Sequence, residues 1–527
     1  MSADAADLRT LAAALPADRI SEDAALCALH GEDISGSGAA VAAVIRPHTA
    51  EETAQAIAAA CAAGCPVYPR GGGMSYSRGY LADAEGGLSL DLRDLDRIRE
   101  IDADGRCVTV EAGVTWAELD AALAATGHRA PFFGPLSGLA ATIGGTLSQN
   151  GAFFGAAGHG YAADSVLGLE VVDGRGQLHR IGSWGAGRDA ALPRFGPDLV
   201  GPFLGDCGAL GVKTTAVLRL VPRPEQPLYA SFAFDSDADV MAAMTALRDI
   251  PHLAELWGFD IAAHRLLARN GFSVLEAAGM AADLAGGAGS ILSGMRALAK
   301  AATLRRAVLS DLPWSLHAVI EPPLPALAAP VFEAVVAACL AAGGRVMPDT
   351  IPRVTRARPF RTIKALIGPD GERWLPCHGV FPAGRAQHGL AAVRDVLARA
   401  AQSDPQPADC TLLLAAVGGE IIVEPQLYWA DALSGFQRAH AAPSQVAPHR
   451  DAPPDPQRRM AALALRQELI EAMAGAGCAH LQIGRSYRYR DTLAPGMRGM
   501  VEALKAQLDP DGILNPGVLG LVGPAAK

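Results

Sequence analysis

Apolar and polar positions along this chain follow two rhythms, one helical and one of period two, and they sort it into elements. Residues 50–64 read as a helix, with Thr49 as N-cap, Glu51 and Glu52 in the first turn and Gly64 as its stop. The extended run Val67-Tyr68-Pro69 follows and ends in a glycine triplet. Period-two segments recur at 88–92, 98–101 and 107–111, with a turn at 102–105. Thr115-Trp116-Ala117-Glu118 has the spacing of a capping box and opens a helix to about Thr126, stopped by Gly127. This order predicts a mixed α+β domain and not a βαβ repeat.

Glycine is frequent over 131–157, where regular structure is sparse. Residues 166–172 and 178–181 read as a strand and its return around Asp173-Gly174, and a further hairpin candidate closes at 212–221. Pro222, Pro224 and Pro227 mark a boundary. The expected division is therefore 1–222, a second domain over 223–500, and a tail of 501–527. The second domain alternates strands with long alanine-rich helices and holds a helical insertion at 275–310. Proline and charge crowd 442–458, which reads as an exposed loop. The last twenty residues return to the Gly/Pro/Asn style of the first domain, so they are expected to fold back onto it.

Composition narrows the function classes. At 527 residues the chain exceeds one core, and 50% hydrophobic with 19% charged residues is an ordinary globular balance. The most membrane-like run, 325–344, carries Glu333 and reads as a buried amphipathic helix, so no membrane span is expected. The N-terminus has acidic residues where a signal peptide needs basic ones, which points to the cytoplasm. A net charge of −10 argues against a nucleic-acid partner. Nine scattered cysteines without a CxxC pair read as free thiols.

Four separated segments carry the chemistry. The first is Arg70-Gly71-Gly72-Gly73-Met74-Ser75-Tyr76, whose glycines let successive amides point into one concavity that suits a diphosphate. The second is Pro135-Leu136-Ser137-Gly138 followed by residues 141–151, where small residues let backbone lie against a flat ligand. The third spans 203–214 and includes Gly211 and Val212; the fourth is 508–517 and includes Asn515.

In that order and at those spacings, the four resemble the FAD-binding domain of the vanillyl-alcohol oxidase / para-cresol methylhydroxylase flavoprotein family, in the branch with D-lactate dehydrogenases, the glycolate oxidase flavin subunit and 4-cresol dehydrogenase. The resemblance covers about 40–222 and the tail from about 500. It implies an α+β fold: a two-subdomain FAD-binding domain with an α/β cap built from an antiparallel sheet and helices. The implied cofactor is FAD, its diphosphate held by amides of Arg70, Gly71, Gly72, Gly73, Met74, Ser75 and Tyr76. Pro135, Leu136, Ser137, Thr142, Gly144, Gly145, Ser148, Asn150 and Gly151 are implied along the ribityl chain and ring, Gly211 and Val212 by the adenine or ring edge, and Asn515 from the tail. The GxGxxG fingerprint of a Rossmann fold is absent from that role.

Departures from the family matter too. Members with flavin attached through the glycine loop carry His where this chain has Met74, and a thioether cannot form that link. Linkage from the cap stays open. Phenol-oxidising members carry an Asp where this chain has Gly158-His159-Gly160-Tyr161. The GDGN segment flanked by His, found in metal-dependent 2-hydroxyacid members, is absent.

Oxidising an alcohol by hydride transfer to flavin N5, as the resemblance implies, needs a base and groups that settle negative charge. His378 offers either that base or a structural imidazole bonding a backbone carbonyl. The strand-like run from His480 then gathers donors, and Tyr487 and Arg488 resemble the family's substrate-contacting Tyr-Arg pair. Catalytic candidates are thus His378, His480, Tyr487 and Arg488. Glu424, in a third segment, could join His378 and His480 around a divalent ion, but HxH and HxxxH spacing is missing and no metal is assigned. The expected function is dehydrogenation of a small alcohol or 2-hydroxy acid, aromatic ones included. The alternative is a flavin-carrying electron-transfer subunit of a multi-component 2-hydroxyacid oxidase. The electron acceptor stays open among oxygen, a quinone, a cytochrome and an electron-transfer flavoprotein, and a homodimer is the expected assembly.

Overall fold

The computed structural model describes residues 14–188, 191–269, 311–360, 363–403 and 408–522. The helical insertion expected at 275–310 lies outside the described residues. The first half holds two main sheets beside two short two-stranded ribbons. Ala43–Ile45, Leu88–Asp91 and Val67–Arg70 run parallel in that spatial order, edged by Ile20–Ser21 antiparallel to the first. The helix Ala50–Ala63 joins the outer two of these parallel strands, so one βαβ crossover is present, though not a repeat. Its predicted ends hold: Thr49 Oγ1 accepts from Glu52 N–H at 3.0 Å, and Gly64 takes a left-handed φ of 64°.

The second sheet is antiparallel, in the order Leu178–Ile181, Val166–Val172, Val212–Arg219, Cys107–Glu111, Ile98–Asp102. The segment expected to close a hairpin at 212–221 is instead a central strand with a different partner on each side. Its near-continuous burial is what such a two-sided position needs, and a sequence pattern alone cannot separate that from a local hairpin. The capping box at Thr115 and Glu118 forms as predicted and opens the helix Trp116–Ala124.

From Leu228 onward most strands enter one large antiparallel sheet. Its spatial order is Arg345–Met347, Leu228–Phe234, Trp314–Ile320, Leu253–Asp260, Asp409–Val417, Glu420–Trp429 and Arg373–Pro376, with Gly379–Pro382 also on Glu420–Trp429. Helices Asp237–Leu247, Ala328–Ala341, Ala386–Ser403 and Pro456–Gly475 cover one face, burying Phe232, Phe234, Trp314, Leu414 and Val423 against Val240, Val335, Val393 and Leu469. The helix Ala328–Ala341 buries only the stripe Val331, Val335 and Cys339, and Leu340 is exposed; it lies on the surface, not in the interior. The stretch 442–458 is also less loop-like than expected, because Pro443–Val446 is helical and Pro456 starts a twenty-residue helix at its N1 position. None of the helices among the described residues is long and apolar enough to cross a membrane.

The other face of this sheet packs on the first half. A buried ion-pair group joins them: Arg129 with Glu321, and Arg356 with both Glu321 and, at 2.9 Å, Glu255. The Phe133 ring lies between the two guanidinium groups, 4.8 Å from Arg129 and 4.6 Å from Arg356. The tail returns to the first sheet, where Val67 N–H donates to Ile513 O and Asn515 N–H to Val67 O, each at 2.8 Å.

Candidate functional site

A cavity of about 430 Å³ lies between the first half and the bare face of the large sheet. Its first wall is the glycine loop. Strand Val67–Arg70 delivers it, and none of the amides from Gly71 to Tyr76 donates to an acceptor among the described residues. Buried amides without acceptors demand an outside partner, and an anion with several oxygens supplies it. The loop is held firmly open. The Tyr80 hydroxyl lies 2.8 Å from Gly73 O, Ser75 Oγ accepts from Ser77 and Gly79 N–H, and Ser75 O accepts from Ile34 N–H at 3.1 Å. The Arg70 guanidinium folds beneath Gly73, 5.4 Å from the Tyr80 ring, with Nε unpartnered.

The second wall packs on the first so closely that side chains are forbidden. A Cβ on Gly72 would fall 1.7 Å from Ala140 O, one on Gly71 2.3 Å from Thr142 Oγ1, and one on Gly144 2.7 Å from the Ala112 methyl. Thr142 caps the short helix Ile143–Gln149, accepting from Gly145 N–H at 3.3 Å. Lys213, paired with Asp206 at 2.7 Å, adds a buried cation to this half. Unpartnered amides, two cations and a cradle of glycines fit an FAD diphosphate, ribityl chain and ring.

The third wall comes from strand parity. Along Glu420–Trp429, Glu424, Gln426 and Tyr428 face the cavity, while Val423 and Leu427 face the helices. Antiparallel register sets Leu413 opposite Glu424, and Thr411 opposite Gln426; Trp374 pairs with Tyr428 from the other side. Gln426 Nε2 donates to Glu424 Oε1 at 2.7 Å, and Thr411 Oγ1 to Gln426 Oε1 at 3.3 Å. Burial pushes the Glu424 carboxyl up to about 7, offset only by the Gln426 bond. Phe153, Phe259 and Tyr76 complete the apolar lining, and the Tyr76 and Trp374 rings meet edge-on at 6.3 Å.

All the cofactor residues expected from the sequence line this cavity except Asn150 and Asn515. Asn150 ends a helix in the left-handed region, and its Oδ1 accepts from Ala163 N–H. Asn515 is fully buried, donating to Gly79 O and Cys207 O at 2.7 Å, so it ties the tail to both flavin-side segments without lining the cavity.

The four catalytic candidates lie off the cavity wall. His378 is 1% exposed and donates from Nε2 to Leu481 O at 2.8 Å, while Tyr487 Oη sits 3.1 Å from its Nδ1. Burial drives this imidazole down to about 3, so it stays neutral and structural. His480 bonds His378 O at 2.7 Å and stacks on Tyr487 at 4.4 Å. Burial lowers the His480 imidazole and raises the Tyr487 phenol. The Arg488 side chain is 71% exposed beside Asp491. The expected strand from 480 does not form, because Gln482 and Gly484 both take left-handed φ. That turn buries Arg485 instead, which bonds Asn515 Oδ1 and Pro516 O and so clamps the tail.

Glu424 was named from the sequence only as a metal donor. Among the described residues no three His, Cys, Asp or Glu side chains form a group that could hold a metal ion. Gln426 and Tyr428 lie in the third candidate segment and Trp374 in the segment around His378, but none of them, nor Phe153, was given a role from the sequence, because strand parity at the cavity is visible only once the sheet is paired.

Residues 41–182 match a family described as an FAD binding domain. An "Uncharacterized FAD-linked oxidoreductase" of Mycobacterium tuberculosis is 34% identical over 231 residues, 44% of this chain and 48% of that protein. "Glycolate oxidase subunit GlcD" of Bacillus subtilis is 33% identical over 216 residues, 40% and 44% of the two chains. The chain thus spans less than half the length of these curated relatives. Among solved structures, p-cresol methylhydroxylase with substrate bound superposes with a TM-score of 0.73 over 99% of this chain and 98% of its own, at 17% identity. That likeness extends the fold over the cap as well as the FAD-binding half.

Proposed function

We propose that this chain, which carries the FAD-binding domain and the fold of the vanillyl-alcohol oxidase / para-cresol methylhydroxylase flavoproteins, is an FAD-dependent dehydrogenase of a small alcohol or 2-hydroxy acid. Bound FAD supplies the two-electron acceptor for a hydride. The chain's own residues supply the rest. Glu424 takes the hydroxyl proton while the C–H hydride departs with its electron pair, leaving a C=O bond on the oxidised substrate. Gln426 holds one Glu424 oxygen and leaves the other free for substrate. Trp374, Tyr428 and Phe259 exclude water from the reacting carbon.

The observation that carries this reading is the Glu424 carboxyl, which faces the cavity and is raised to about 7, where a base works best near neutral pH. Glu424→Gln tests it. The variant keeps its flavin, loses roughly 100-fold or more in kcat/KM, and loses the acid limb that the wild type shows near neutrality. A variant with wild-type rates and an unchanged limb removes Glu424 from the role. The relative named as an oxidase subunit supports a second reading, an electron-transfer component. Turnover by the isolated chain with an artificial acceptor rules against that.

A further inference from the structure

We infer that the cap side of the cavity takes an uncharged alcohol and rejects substrates that carry a carboxylate. The inference rests on the reading that substrate sits against Glu424. A 2-hydroxy acid brings an anion that must be desolvated, and a buried anion needs a cation or a fan of donors. Among the described residues, the cavity has cations only on the flavin half. Arg70 lies beneath the glycine loop and Lys213 is already paired with Asp206. The cap side offers Trp374, Phe259, Leu413, the Tyr428 hydroxyl, and Thr411 and Gln426, which hydrogen-bond to Gln426 and Glu424 respectively, and its one carboxyl is Glu424 itself.

Charge therefore counts twice against an acid. Among the described residues it finds no cation on the cap side, and it meets the Glu424 carboxylate inside a low-dielectric wall. Two like charges a few ångströms apart in such a place weaken binding by about 30-fold or more. The groups around Glu424 do not relieve this. Tyr76, Tyr428, Tyr487 and Cys377 all feel its charge and are all held neutral by burial. Arg466, on the helix Pro456–Gly475, lies off the cavity wall, with Nε donating to Pro376 O and Nη2 to Tyr76 O.

The test uses the flavin-loaded protein and matched pairs that differ only in charge: lactamide against lactate, and mandelamide against mandelate. Binding is read from the perturbed flavin spectrum, and reduction from anaerobic bleaching. At pH 8 an amide is expected to bind at least about 30-fold tighter than its acid. In Glu424→Gln that gap is expected to shrink to a few-fold. As pH falls from 8 to 6 in the wild type, Glu424 takes up a proton, so acid binding tightens while amide binding stays level. Equal binding of amide and acid, a gap untouched by Glu424→Gln, or failure of both amides to bind overturns the proposal. If Glu424→Gln closes the gap yet still bleaches at the wild-type rate, the charge filter stands and the base assignment falls.

Discussion

Gly72→Ala adds one methyl group at the place where the two flavin-side walls touch. The new Cβ would lie 1.7 Å from Ala140 O and 2.6 Å from Ala140 C, both main-chain atoms, whereas real Cβ contacts essentially never come below 3.0 Å. Segment 137–141 must therefore retreat by about 1.3 Å, and no rotamer change can absorb that. The retreat pulls on bonds that tie the segment to its neighbours: Trp116 N–H to Ala141 O at 3.2 Å and Ala117 N–H to Gly138 O at 3.1 Å. Overpacking costs about 1–3 kcal/mol, and each weakened hydrogen bond about 1 kcal/mol. A penalty of about 2–4 kcal/mol follows, and if the loaded state bears it, FAD affinity drops roughly 30- to 700-fold. Gly475→Ala is the control, since it ends a helix with open space around its Cα. The assay is FAD titration of deflavinated protein, followed by quenching of tryptophan fluorescence, with thermal melts alongside. Gly72→Ala binding FAD as tightly as wild type, with a melt matching the control, refutes the claim that backbone contact shapes this cradle.

Two other substitutions probe the supports of the site. Lys505 is buried and donates to Ala209 O, Asp509 Oδ2 and Leu514 O at 2.6–2.8 Å, so Lys505→Met leaves the buried Asp509 carboxylate without its cation, held only by the Ile513 and Leu514 amides. A loss of about 3–5 kcal/mol is expected, seen as a lower melting temperature and flavin release, with partial recovery when Asp509→Asn is added. His378→Gln is expected to cost about 1–3 kcal/mol of stability while leaving the pH limb of kcat/KM in place. It also flattens the acid side of the stability curve. The folded imidazole sits near 3 and the unfolded one near 6.5, so its stabilising contribution is full above about 6.5 and is lost as pH falls toward 3. Urea melts across that window check the slope; an unchanged slope sinks the assignment.

What the sequence disclosed and what it hid divide along a physical line. The glycine loop and the 135–151 segment were legible because their chemistry is main-chain chemistry. Gly72 has no room for a Cβ, and Thr142 before a helix says where the amides turn. Such constraints are written in residue type. The cap chemistry was not legible in that way. His378 was singled out because imidazole titrates near neutrality, yet its burial, 1% exposed against the Leu481 carbonyl, depends on a turn at Gln482 and Gly484 more than a hundred residues away. Arg488 and Arg485 are three residues apart with the same side chain. One meets solvent and the other locks the tail, and only the left-handed turn separates them.

The Glu424 site depends instead on register, and register explains why this carboxyl can be held raised without unfolding its surroundings. A slip of one residue along Glu420–Trp429 would turn Val423, Pro425 and Leu427 into the cavity and drive Glu424 among Val393, Phe381 and Leu469. Burying a carboxyl there without a partner costs several kcal/mol, so the slipped sheet is strongly disfavoured. The strand is also pinned from both sides, by Asp409–Val417 along its whole length and by Arg373–Pro376 and Gly379–Pro382 in turn. One strand further, Asp260 accepts from Leu412 N–H at 3.1 Å and Ala263 N–H at 3.0 Å, which fixes the partner strand in turn. The same alternation that builds the cap core thus aims Glu424, Gln426 and Tyr428 at the flavin half. In this cap, the side chains that face the cavity and the stability of the sheet are set by one registration of strands.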